Sequence, residues 1–382
     1  MRNKIKQLLR EALGVPQNIL EVSEEIYNTL LSELKHTPNE DSGEYEISFE
    51  RDFEISDLFF TEVIIKLSCH PQENFEKIVL IGGQVQFQSS IHPFEPIMKA
   101  SKSQSFSVKI DFAVSEDNDI SEIVGFVKNN KSLLMGLFSH ELKHFYDEYK
   151  KPFTQFKERS DYSTYSGTRF GIPPIDKFLH YCYFITQIEN LVRPTEIASL
   201  IKTNNITKNK FLEFLQNEKV FMMLQEIKSF SIDKFKEELK EYESLINDVF
   251  ESVNETPPDN LDKKIDRFLE IFFLTITNAR IESLQSLVFH NPISQFMGVT
   301  KNTLYLQEFI KKLTRFKNAN DFLEYEQKRF KFVTNKLIRK ISKLFDMAQT
   351  NESINDWELY HRIKKTKISE FVTKSKYFKT KK

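Results

Sequence analysis

The sequence predicts an α+β protein: a small, mostly antiparallel sheet early in the chain, then a helical half carrying the chemistry, then a long all-helical C-terminal region. Three observations point there. Only 9 glycines and 12 prolines occur among 382 residues, too few turn-formers for a many-stranded all-β fold. Alternating and β-branched segments cluster before residue 115. From Asp119 onward, apolar residues recur at helical spacing.

Residues 1–35 read as one or two amphipathic helices, with Val22, Ile26, Leu30 and Leu34 on one face. "EYEISFE" (44–50) then alternates, and "EVIIKLS" (62–68), "KIVLIGGQVQFQ" (77–88) and "SFSVKIDFAV" (105–114) have strand composition, so four or five strands are expected. Gly82-Gly83 marks a bulge or turn and lacks the Gly-Lys-Ser/Thr surroundings of a phosphate loop. Helices are expected near 119–128, 131–150, 175–192 and 194–203, with a break at Pro194. More follow near 207–217, 219–250, 260–289, 302–315, 319–348 and 353–374, interrupted most clearly at "NETPPDN" (254–260). This gives a metal-binding α+β domain over 1–204, with its sheet at about 44–114 and active-site helices at about 131–150 and 175–203. A helical region over 205–382 follows, ending in a basic tail at 362–382.

Composition narrows the function classes. With 40% hydrophobic and 29% charged residues the chain reads as folded. The 54 basic and 55 acidic residues leave a net charge of −1, so no global field draws the chain to nucleic acid or anionic membranes. The tail from Arg362 carries nine Lys or Arg against one Glu. It is the one expected route to nucleic acid, though its simpler reading is a solvated terminus. Cys69 and Cys182 make no disulfide framework, which fits a reducing compartment. "MRNKIKQLLREALGV" lacks the apolar run of a signal peptide, and "FLEIFFLTITNARI" is too short and too charged to span a bilayer. The expectation is a cytoplasmic protein with no membrane partner.

The sharpest chemical signal is "LFSHELKHFYDEY" (137–149). On a helix, His140 and His144 are neighbours on one face and aim two imidazoles at one point, as zinc requires. Leu133 and Leu137 precede them at the same spacing and suggest a face built for burial. Buried imidazoles need partners, and a metal supplies one to each ring. Glu141 lies one position round, where its carboxylate reaches a water rather than the metal. A third ligand is expected downstream. Glu189 continues the apolar face of Phe178, Cys182 and Ile185, whereas His180 points to the opposite side. Glu196, seven residues on, is the second candidate.

"HELKH" followed by a glutamate-bearing helix resembles the zincin superfamily of zinc metallopeptidases, in its gluzincin-like form with two His and one Glu. "ENLVRPTE" also resembles the Glu-x-x-Ala-Arg-x-x-Glu string of poorly characterised zincin-like proteins from phages and mobile elements. Val192 replaces the usual alanine, Pro194 intrudes, and Lys143 puts a charge inside the motif. The resemblance covers residues 131–201. It implies one zinc ion held by His140, His144 and Glu189, with Glu196 in reserve, Glu141 as the catalytic base, and Arg193 beside the metal or the substrate. It further implies a peptide or protein substrate lying along an edge strand of the sheet. "SFSVKIDFAV" is the candidate for a strand near the site, and nothing in the sequence selects which strand forms the edge. Arg193, Tyr162, Tyr165 and Tyr183 are available to stabilise an oxyanion, and nothing in the spacing selects one.

Two other functions fit the same residues. One is a non-enzymatic interaction or phage-structural protein that retains a zincin-like domain. The other is a metal-dependent amidase acting on non-peptide or cell-wall material. Cys69-His70 does not make a metal site, because neighbours on a strand point to opposite faces. Cys182 and His180 likewise diverge on a helix.

Overall fold

The computed structural model describes residues 15–16, 18–36, 44–71, 78–86, 105–114, 120–150, 170–289, 310–311 and 313–344. The chain is α+β, and it divides into two compact units that interleave in sequence.

The first unit holds helix α1 (Ile19–Leu34), strands β1 (Glu44–Ile55), β2 (Leu58–Pro71), β3 (Val79–Gln86) and β4 (Ser105–Val114), and helices α2 (Ile120–Asn129) and α3 (Lys131–Lys150). It also holds helix α5 (Gln187–Thr203) from Leu191 onward. Alternation in β1 buries Tyr45, Ile47, Phe53 and Ile55. The sheet order is β1-β2-β4-β3, with β1/β2 and β3/β4 antiparallel and β2/β4 parallel. "SFSVKIDFAV" is β4 and lies inside the sheet, so the edges that the sequence left open are formed by β1 and β3. The outer strand running against α3 is β3. Its register slips between Leu80 and Gly82, so the glycine pair does sit at a bulge. A Cβ on Gly83 would fall 2.6 Å from Leu137 Cδ1, so the missing side chain lets α3 lie close to the strand.

Helix α3 spans the predicted residues, but its buried stripe is displaced from the predicted one. Leu134, Phe138 and Leu142 are fully buried, whereas Leu133 is exposed and Leu137 only half-buried. Phe145 packs edge-on against Phe60 of β2 and Phe106 of β4, with centroids 5.4 and 5.5 Å away. On its back, Ser139 donates to Ser23 of α1 at 2.8 Å. Helix and sheet are therefore fixed together within one turn of both histidines.

The second unit holds α4 (Pro173–Phe184), the start of α5 as far as Asn190, and the helices α7 (Lys219–Ser229), α8 (Ile232–Lys240), α9 (Glu243–Ser252) and α10 (Leu261–Phe289), with α11 (Ala319–Lys343) as far as Arg339. A short helix, α6 (Phe211–Asn217), is divided between the two units at Phe214. Its core is aromatic: Phe178 has Phe230, Phe235, Phe272, Phe322 and Phe330 within 6.2 Å of its ring centroid. The single helix expected over 219–250 is three. Phe230 takes an extended backbone at φ −53°, ψ 132°, which breaks the helix and turns its ring onto Phe178 and Phe330. The expected interruption at 254–260 is present. The helix over 353–374, the basic tail, Tyr162 and Tyr165 lie outside the described residues. Among the described residues no helix is long and apolar enough to cross a membrane.

Candidate metal centre

Two helices carry the residues singled out from sequence. His140, Glu141 and His144 lie in the middle of α3, all buried at 4–9% exposure. Glu189, Arg193 and Glu196 lie on α5, which runs unbroken through Pro194. The break expected at the proline falls instead at Ile185-Thr186, between α4 and α5. A proline inside a helix removes one N–H and crowds the preceding turn. Here the helix is held on both sides of it, by Ser199, whose hydroxyl donates to Met135 O on α3 at 3.0 Å, and by buried Val192 and Ile197. Because the helix continues, Glu189 and Glu196 stand two turns apart on the same face. At Gly136 of α3 a Cβ would meet Leu200 Cδ2 at 3.4 Å and Glu196 Cγ at 3.7 Å, ordinary van der Waals contact with α5.

The two imidazoles converge. Their Nε2 atoms are 3.1 Å apart and their planes cross at 68°. His140 uses its other nitrogen differently: Nδ1–H donates to Glu196 Oε2 at 3.0 Å. A carboxylate only accepts, so the proton sits on Nδ1 and His140 Nε2 presents a lone pair toward His144. Two such nitrogens at 3.1 Å need either a proton or a cation between them, and a point about 2 Å from both matches a zinc–imidazole bond. His140, His144 and Glu189 each offer one ligand atom, and these atoms lie within 4.8 Å of one another. Among the described residues this is the one group of three such side chains able to hold a metal ion. The donor set, two imidazoles and a carboxylate in a buried setting, fits zinc chemistry.

Glu196 stands in a different relation to the site from the one its candidacy as a ligand implied. Its carboxylate is engaged by His140 and by Arg193, whose Nη1 donates to the same Oε2 at 2.8 Å. Burial raises the acid's pKa, but Arg193 and His140 outweigh it and hold Glu196 down at about 2. It is thus an ionised acceptor that fixes the His140 tautomer. Sequence spacing brought Glu196 to the right face but carried no signal of this role. Arg193 is 3.5 Å from His140 Nδ1 and acts through Glu196.

Lys143, the charge within the motif, is buried and pairs with Asp147 one turn on, next to the Tyr146 ring. Desolvation lowers its pKa despite that partner. His180 is exposed and outside the cluster, as its helix position predicts. His70 pairs with Asp111 across β2 and β4 at 2.9 Å. No protein-family model, curated protein or solved structure matches the chain.

Proposed function

We propose that this chain is a zinc-dependent hydrolase of the zincin type, a metallopeptidase acting on a peptide or protein substrate. The observation that carries the reading is the convergence of His140 Nε2 and His144 Nε2 at 3.1 Å with Glu189 beside them. His140, His144 and Glu189 would hold the ion. When bound, zinc supplies a Lewis acid that makes water more acidic and a carbonyl carbon more electrophilic.

The other steps belong to the chain. Glu141, buried beside His140, takes the proton of the attacking water on its carboxylate and returns it to the departing amine nitrogen. Glu196, ionised by Arg193, keeps the His140 proton on Nδ1 so that Nε2 stays a donor atom toward the ion. Burial of His140, Glu141, His144 and Glu189 lowers the local dielectric and strengthens these interactions.

The test is Glu141→Gln in the full-length protein, assayed on a peptide library with its zinc content measured in parallel. The expected result is full zinc retention and a rate lowered by about 10²–10⁴-fold, the usual contribution of a general base. Undiminished cleavage by Glu141→Gln, or no cleavage of any peptide by zinc-loaded wild-type protein, contradicts the peptidase reading.

A further inference from the structure

Glu189 has a partner on the preceding helix that the reading above does not use. Tyr183, in the last turn of α4, donates its Oη–H to Glu189 Oε1 at 2.9 Å. The corner between them is braced by backbone and side-chain bonds. Thr186 N–H reaches Tyr183 O at 2.9 Å, Ile185 N–H reaches Tyr181 O at 3.2 Å, and Asn190 Nδ2 donates to Ile185 O at 2.7 Å. The seven residues from Tyr183 to Glu189 therefore span a fixed distance. Glu189 is only 2% exposed, so its carboxylate is oriented by protein donors rather than by water.

A carboxylate has two oxygens, and a phenol on one of them decides which is offered elsewhere. We infer that Tyr183 is a positioning residue of the metal centre: its hydroxyl holds Glu189 Oε1 so that the carboxylate meets the ion through its other oxygen. This rests on reading His140, His144 and Glu189 as the zinc ligands. The role parallels that of Glu196 toward His140, so each helix-borne ligand set has its own orienting group. Without the hydroxyl, the Glu189 carboxylate turns about its terminal torsion and the ligand set loses its fixed shape. Retention of the phenyl ring keeps the packing, so Tyr183→Phe isolates the hydroxyl.

The experiment compares full-length wild-type and Tyr183→Phe protein by zinc competition against a chelator and by the visible absorption of cobalt(II) added in place of zinc. The expected result is about 10–100-fold weaker zinc binding in the variant, as for other groups that orient a ligand. Altered cobalt bands and an unchanged melting temperature of the metal-free protein should accompany it. Equal zinc affinity and superimposable cobalt spectra overturn the inference and leave the metal centre standing. Should the variant lose stability, 3-fluorotyrosine placed at position 183 alone provides the second measurement. Its fluorine resonance is expected to shift when zinc is added, and a resonance that stays in place while zinc binds overturns the inference. Wild-type protein that takes up neither ion overturns the zinc reading itself, and this inference with it.

Discussion

Arg193–Glu196 on α5 and Glu326–Arg329 on α11 are the same device in two settings. Each is an arginine and a glutamate three residues apart on a helix, joined at 2.8 and 2.6 Å. The α11 pair is packed against Cys182 of α4. Glu326 is 1% exposed, Arg329 also reaches Cys182 O at 3.4 Å, and the Cys182 thiol lies 3.8 Å from Glu326. Burial first, and then Glu326, push that thiol far up in pKa, so it is an inert core residue. In the α5 pair the Glu196 Oε2 that Arg193 engages also accepts from an imidazole, and that imidazole faces a second one. A buried ion pair by itself is a packing feature. What makes the α5 pair part of a candidate centre is the pair of convergent nitrogens it serves.

The comparison predicts that the two pairs fail in different ways. The largest loss of stability is expected from Arg329→Met, which leaves Glu326 buried without its counter-charge. Denaturant unfolding should show a loss of about 3–5 kcal/mol, while zinc affinity stays within about twofold. Glu196→Ala should do the opposite. Zinc competition should show affinity falling about 10–100-fold, or about 1.4–2.7 kcal/mol, with the metal-free protein less destabilised than by Arg329→Met. If Arg329→Met weakened zinc binding and Glu196→Ala did not, the assignment of the two pairs would be reversed. The smallest effect is expected from Gly136→Ala. The new methyl meets Leu200 at 3.4 Å, an ordinary side-chain contact, and the helix gains about 0.5–1 kcal/mol of propensity. Melting should move by no more than a few degrees and zinc affinity not at all. A fall in both would contradict the packing of α5 on α3 described here.

Much of the centre was legible because its signals are local. The spacing of His140 and His144 needs only one helix, and α3 forms over the residues its periodicity predicts. Glu189 was visible as a carboxylate on an apolar face. What local pattern did not carry is set by long-range packing. Pro194 reads as a breaker, yet α5 is held through it by contacts with α3, and the chain turns instead at Ile185-Thr186. Residues 219–250 read as one helix, but Phe230 leaves helical geometry where it joins the Phe178 cluster. The place of β4 inside the sheet follows from its parallel pairing with β2, across more than 30 residues of chain, which no strand pattern encodes. The roles of Glu196 and Tyr183 are of the same kind, since each is defined by the atom it touches on another residue.

The most direct test of the central claim is the metal content of purified full-length protein, measured alongside His140→Ala after both are offered micromolar zinc. One zinc per chain in the wild type and none in the variant is the predicted outcome. Wild-type protein that stays free of metal, or a variant that keeps its zinc, would contradict the claim that His140, His144 and Glu189 share an ion.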